Sequence, residues 1–325
     1  METEQIRQAA GMIRRGGVVA FPTETVYGLG ADALNPLAVA RIFEIKNRPF
    51  FDPLIVHIAD LNEVSRLVIT IPTDAEKLIQ RCWPGPLTIV LFKNEEIPDL
   101  VTAGLPTVAL RMPSHPIALQ LIKESGRPVA APSANPFGYV SPTTAEHVRD
   151  QLGDRVDLIL DGGPCEVGLE STIVSFSEER PRLLRPGGLP LEEIEAIIGR
   201  VELGPDEEEK PSSPGRLPRH YAPRTPIVID GWEKDLGAYQ NKKAGLLAFR
   251  QVPGSFPSCD VEVLSPKGDL REAAVNLFAA IRRLDALNLD VILAESVPEV
   301  GLGRAIMDRL RRASSNFEID SNHKK

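Results

Sequence analysis

Basic charge is in short supply in this chain. Residues 1–200 hold 19 Lys and Arg against 26 Asp and Glu, and residues 201–325 hold 18 against 19, for a net charge of −8. A general nucleic-acid binder needs a basic excess that neither part has, so any anion site must be a local cluster. Cysteine is equally scarce. Cys82, Cys165 and Cys259 are odd in number and lack CxxC spacing, which excludes a disulfide framework and a zinc site and fits reduced thiols in a cytosolic protein. The five histidines have no metal-ligand spacing, so no protein-held metal is expected. No apolar run nears the roughly 20 residues of a membrane span. The opening METEQIRQAAGMIRRGG lacks the apolar core of a secretion signal, and a cytoplasmic location is expected. GxxxxGK[ST] is absent, which excludes a Walker-type phosphate loop, and no Ser/His/Asp or Cys/His set can be assembled.

What is present suits two domains, given a length of 325 residues and an apolar fraction of 42%. Apolar periodicity predicts helices over 4–15, 36–46, 73–83, 115–125, 143–152 and 191–198, with strands over 18–21, 54–58, 87–92, 107–112, 128–131, 156–160, 171–176 and 182–184. Asn35-Pro36 is a helix start, and Thr73 to Glu76 and Thr143 to Glu146 read as capping boxes. Strands and helices alternate irregularly, which favours a mixed sheet in an α/β domain spanning 1–203. Residues 204–226, GPDEEEKPSSPGRLPRHYAPRTP, read as a linker. A smaller α/β domain follows over 227–325, with strands at 227–229, 245–249, 261–264 and 291–294 and helices at 270–287 and 304–312.

Three loops of the first domain can hold an anion. The first lies within 21–58, where Thr25, Gly28 and Gly30 precede a helix ending in Lys46 and Arg48, and a strand then carries His57. On an apolar strand, His57 can equally be a satisfied core residue. The second, AAPSANPFGYVSPTT, follows a strand and precedes a helix. Ser133, Asn135 and Ser141 could donate there to phosphate or ribose oxygens, although the same composition also suits an ordinary turn-rich connection. The third runs from Asp161 to Ser171, rich in glycine. Arg111 and Arg185 fall at strand ends, where a guanidinium suits carboxylate or phosphate, although each alone is more often a surface residue. Glu24 and Glu170 could form a carboxylate pair, with nothing in the sequence to set their separation.

Taken together, PTETVYGLGADA, KNRPFFDPLIVHI, WPGPLTIVL, VALRMP, APSANPFGYVSPT, GLESTIV and LLRPGG, in that order, resemble the threonylcarbamoyl-AMP synthase family of YrdC-like domain proteins. The linker SPGRLPRHYAP and the terminal GLGRAIMDRLRRAS resemble its two-domain form. The resemblance implies an open, twisted mixed α/β sheet and a second, smaller Rossmann-like domain. It implies that L-threonine, bicarbonate (or CO2) and ATP give L-threonylcarbamoyladenylate and pyrophosphate, with Mg2+ accompanying ATP and no covalent nucleophile. It also implies that the product passes to the machinery that transfers threonylcarbamoyl to tRNA, without strong direct tRNA binding. By resemblance, Thr25, His57, Arg111 and Ser171 surround threonine. Arg48, Thr107, Ser133, Ser141 and Arg185 hold ATP, with Lys46 and Asn135 as neighbours and His220 and Tyr221 contributed by the linker. The chain departs from the family at Arg216-Leu217-Pro218, at Ala131 where some members have a hydroxyl residue, and at Asp52 where some place a basic ATP contact. The competing reading is a non-catalytic RNA-binding YrdC-like module.

Overall fold

The computed structural model describes residues 2–204, 220–229, 239, 241–251 and 260–314. Cys259 and Arg216-Leu217-Pro218 lie outside them. The chain divides into two compact units, one of residues 1–137 and 141–217 and one of 138–140 and 218–325.

The first unit is built on ten strands: β1 (Val19–Phe21), β2 (Gly28–Asp32), β3 (Ile55–His57), β4 (Leu87–Phe92), β5 (Thr107–Arg111), β6 (Val129–Ala130), β7 (Leu158–Ile159), β8 (Thr172–Ser175), β9 (Arg182–Arg185) and β10 (Glu202–Leu203). They form one sheet in the order β10-β9-β8-β4-β5-β3-β6-β2-β1-β7. Parallel pairs such as β3–β5 and β4–β8 alternate with antiparallel ones such as β4–β5 and β8–β9, so the sheet is mixed.

Side chains alternate across a sheet, and the alternation separates core from site. On one face Val56, Ile89, Leu91, Val108, Leu110 and Val174 join the main core, which takes in Val39, Ile42 and Phe43 of the helix Pro36–Lys46 and Leu78 and Ile79 of the helix Thr73–Cys82. Val19, Phe21 and Val129 pack in a second cluster with the helices Glu2–Arg14 and Pro116–Ser125. Ile55, Val90, Ala109, Ile173 and Leu184 form a third group, made of strand residues alone. By alternation, His57, Thr88, Thr107 and Arg111 share the face of this third group.

Local signals explain most element ends. Asn35 caps its helix through Oδ1, which accepts from the N–H groups of Leu37 and Ala38, and Pro36 supplies the first helical position. Gly126, at φ 61°, ends the helix Pro116–Ser125 as expected. The capping boxes fare differently. Thr73 already lies inside its helix, Pro72 takes the cap position, and no side chain caps it. Thr144 rather than Thr143 caps Ala145–Leu152, its Oγ1 accepting from His147 N–H at 3.2 Å. The first helix thus begins one residue earlier than expected and the second one residue later. Strands β2 and β10 had no sequence signal: Gly28–Asp32 is glycine-rich, and Glu202–Leu203 is two residues long.

The second unit has four strands, β11 (Ile227–Ile229), β12 (Ala244–Ala248), β13 (Asp260–Val263) and β14 (Val291–Ala294), all parallel in the order β11-β14-β12-β13. Leu246, Ala248, Val291 and Leu293 form a cluster of it. Asp269 caps the helix Leu270–Asp285 through Oδ1, and the helix Gly303–Ser314 follows β14. Tyr139 belongs here and donates its hydroxyl to Asp285.

Gly30 shows how tightly β2 is set. A Cβ there would stand 2.6 Å from the Phe21 ring and 2.7 Å from Val129 Cγ1. Gly30→Ala is expected to lower stability by about 1–3 kcal/mol through overpacking, measured by urea denaturation. A loss below ~0.5 kcal/mol would contradict this packing.

Candidate functional site

Two polar groups form in the first unit. The first gathers where β3, β5 and the start of β8 end or begin. His57 and Arg111 are register partners at the C-terminal ends of β3 and β5. Arg111 Nη2 donates to Glu24 Oε1 at 2.7 Å, and its Nε donates to Gly85 O at 3.3 Å. Thr25, beside Glu24, shares a 2.8 Å hydroxyl–hydroxyl contact with Thr23. Thr23 Oγ1 also donates to Val26 O and accepts from Val26 N–H, which makes a compact turn of the PTET stretch. On the adjoining strands, Thr88 Oγ1 and Ser171 Oγ lie 2.7 Å apart. Arg185 Nη2 donates to both Ser171 O, at 2.9 Å, and Ser171 Oγ, at 3.2 Å. Thr25, His57, Arg111, Ser171 and Arg185 are all buried.

Close backbone approach holds this group together. A Cβ on Gly187 would fall 2.4 Å from Glu170 O and Ser171 C, so the LLRPGG turn can lie against the Ser171 strand only with glycine there.

The second group is built on the C-terminus of Pro36–Lys46. Lys46 Nζ donates to the carbonyls of Ser133 and Asn135 at 2.5 Å each, and Phe137 N–H donates back to Lys46 O. Burial, and then the neighbouring Arg48 charge, hold the Lys46 ammonium well below its ordinary pKa. Arg48 donates to Asp52 O at 3.1 Å and Pro53 O at 2.8 Å, and pairs with the Asp52 carboxylate at 2.9 Å. Burial raises the Asp52 pKa, against the opposing pull of Arg48. Ser141 Oγ donates to Glu170 Oε1 at 2.5 Å.

The candidates are not all brought together. Thr107 begins β5, opposite Phe92, four residues from Arg111 and so about 13 Å away at roughly 3.3 Å per residue. His220 and Tyr221 belong to the second unit. There Tyr221 stacks on Phe278 with centroids 5.6 Å apart, and the Arg309 guanidinium lies 4.9 Å from its ring. Glu24 and Glu170 take different partners, Arg111 for the first and Ser141 for the second. Gly28 and Gly30 lie in β2, where Gly30 serves packing and neither cradles a helix start. Sequence reasoning passed over Thr88, although its place in WPGPLTIVL was a usable signal, and it had no means to see that Asp52 holds Arg48. Cys165 is buried and its thiol is pushed up to about 12, which leaves it inert as a nucleophile.

Residues 11–187 match the family model described as telomere recombination, and residues 189–315 match the one described as threonylcarbamoyl-AMP synthase, C-terminal domain. The chain is 48% identical to the threonylcarbamoyl-AMP synthase of Pyrococcus abyssi over 97% of this chain and 95% of that one. It is 46% identical to the Bacillus subtilis protein of the same name, over 97% and 94%. It also resembles the crystal structure of P. abyssi Sua5 complexed with L-threonine, with a TM-score of 0.91 and 47% identity over 97% of this chain and 95% of that one.

His57 makes the site sensitive to acid. Burial, with Arg111 beside it, lowers its pKa from 6.5 to about 3. An unfolded chain takes up that proton near pH 6.5 and the folded one only near pH 3, so stability falls as pH drops through this window. At pH 4.5 the loss relative to neutral pH is roughly 2–3 kcal/mol from this group. Urea melts at pH 7 and 4.5 should show that a His57→Gln variant loses less on acidification than the parent. Equal losses would contradict a neutral buried His57.

Proposed function

The chain belongs to the threonylcarbamoyl-AMP synthase family, and from that premise we propose how its residues share the reaction. It is a nucleotidyltransferase-type enzyme that makes L-threonylcarbamoyladenylate and pyrophosphate from L-threonine, bicarbonate or CO2, and ATP. The observation that carries this is the match along nearly the whole chain to the crystal structure of P. abyssi Sua5 complexed with L-threonine.

The chemistry sets the demands. Threonine's amine joins CO2 to give a carbamate, with loss of a proton. A carbamate oxygen attacks the α-phosphorus of ATP, the bond to the bridging oxygen of the β-phosphate breaks, and pyrophosphate departs. No covalent enzyme intermediate is needed, so the protein's task is alignment and charge stabilisation. Alignment alone can be worth roughly 7–11 kcal/mol. We assign the α-carboxylate to Arg111 and the remaining polar atoms of threonine to Thr25, Ser171 and His57. Held neutral by burial, His57 offers a ring nitrogen to the substrate without adding a second charge beside Arg111. Its Nδ1 has no hydrogen-bond partner among the described residues.

We assign ATP to Arg48, Arg185, Ser133, Asn135, Ser141 and Thr107. Lys46 shapes the loop that presents Ser133 and Asn135. In our reading Arg48 and Arg185 offset charge on the phosphates. His220 and Tyr221 join the nucleotide through the family's linker pattern. Residues 1–203 then form the catalytic domain, 204–226 the linker and 227–325 the small Rossmann-like domain. Among the described residues no group of three or more His, Cys, Asp or Glu could hold a metal. We therefore treat Mg2+ as travelling with the triphosphate and assign it no step. No helix among the described residues is long and apolar enough to cross a membrane. The adenylate suits transfer to tRNA by separate machinery in the cytoplasm, and the acidic balance of the chain argues against strong direct tRNA binding.

Pyrophosphate release should require threonine, bicarbonate and ATP together, and equal turnover without threonine would defeat the assignment. Arg111→Ala removes charge-assisted hydrogen bonds of about 1.5–3 kcal/mol, so the threonine KM should rise roughly 10- to 100-fold. The ATP KM should change less than about twofold, with folding checked by circular dichroism. The reverse pattern would overturn the division of the site.

A further inference from the structure

One buried carboxylate beside the amino-acid group has no role in the division above. Glu24 sits in the turn between β1 and β2, directly before Thr25, and is buried. Its two oxygens have different partners. Oε1 accepts from Arg111 Nη2 at 2.7 Å, and Oε2 accepts from the backbone N–H of Ser114 at 3.1 Å. Its carbonyl accepts from Val167 N–H at 2.8 Å, four residues before Ser171. One residue thus ties together the turn bearing Thr25, the strand end bearing Arg111, and the loop leading to Ser171.

The Arg111 guanidinium shows what this arrangement leaves over. Nε faces Gly85 O and Nη2 faces Glu24, while Nη1 donates to nothing among the described residues. A guanidinium is planar and its donors point in fixed directions, so holding two nitrogens sets the direction of the third. We propose that Glu24 is a positioning residue for the amino-acid half of the site. It fixes the Arg111 plane so that Nη1 meets the substrate's α-carboxylate while Thr25 stays in register with it. The inference rests on the reading of Arg111 and Thr25 as threonine contacts.

The action runs through Arg111, which separates it from a merely structural role. Glu24→Ala frees the guanidinium and should raise the threonine KM tenfold or more, with the ATP KM within twofold of the parent. Glu24→Gln keeps an oxygen for Arg111 and loses the acceptor for Ser114 N–H, so its threonine KM should fall between the parent and Glu24→Ala. In the double variant Glu24→Ala/Arg111→Ala, the threonine KM should be no higher than in Arg111→Ala alone, since both act on one contact. Steady-state kinetics on the full chain, with threonine and ATP varied separately, reads all three. If Glu24→Ala does not fold, the near-isosteric Glu24→Gln carries the test, with a rise of at least threefold in threonine KM expected. Threonine and ATP KM values rising in parallel, or an unchanged threonine KM in Glu24→Gln, would overturn the proposal. An Arg111→Ala variant with an unchanged threonine KM would instead sink the underlying reading of Arg111. A raised threonine KM there with normal Glu24 variants would sink the Glu24 proposal alone.

Discussion

The ion pair between Arg111 and Glu24 joins a cation and an anion that are both shut away from water. A guanidinium in that position is tolerable only with a fixed acceptor beside it, because an unpaired buried charge is strongly destabilising. The consequences spread outward from the pair. Burial keeps His57 neutral, and the charge of Arg111 beside it acts in the same direction. With Glu24 held, the PTET turn must close on Thr23, and the loop ahead of Ser171 is caught by the Glu24 carbonyl. The second polar group repeats the device, where Asp52 answers Arg48 and two carbonyls take the Lys46 side chain. Each cation is thus built into the protein before any substrate arrives, and substrate binding need not order it.

The mixed sheet makes this affordable by giving its faces different work. One face joins the main helical core, while the other carries a helix-backed cluster around Phe21 and a strand-only cluster around Val90 and Ala109. Polar residues that alternate with core residues on β3, β4 and β5 then fall on the face of the strand-only cluster. Parallel β3 and β5 bring His57 and Arg111 level at their ends, and antiparallel β4 turns Phe92 towards Thr107. A one-residue slip in any of these pairings would send the polar row into the core.

Much was legible beforehand. Periodicity placed most strands and helices within a few residues, because a half-buried element must repeat its apolar residues at a fixed interval. The exceptions were physical. Glycine-rich β2 has no apolar alternation, β10 is too short to show any, and the two helix starts read as capping boxes fall at Pro72 and Thr144, each one residue from its expected cap. Of the site, the motifs supplied residue identities. Neither the pairing of Glu24 with Arg111 nor that of Asp52 with Arg48 follows from spacing, since the first spans 87 residues.

Sequence by itself determined the class of the fold, the absence of a Walker-type phosphate loop, and the family, since each depends on residue order along the chain. Only the tertiary structure decided which polar residues meet. It set Thr107 at the far end of β5 from Arg111, and it gave Glu24 and Glu170 separate partners. The physical reason is that convergence comes from strand pairing and burial, which join residues distant in the chain. Phe21 to Ile58 looks in sequence like one compact anion loop. In the folded protein its members divide between two groups, with His57 level with Arg111 and Thr25 next to the Glu24 that binds it, and with Lys46 and Arg48 against the Ser133 loop and Asp52.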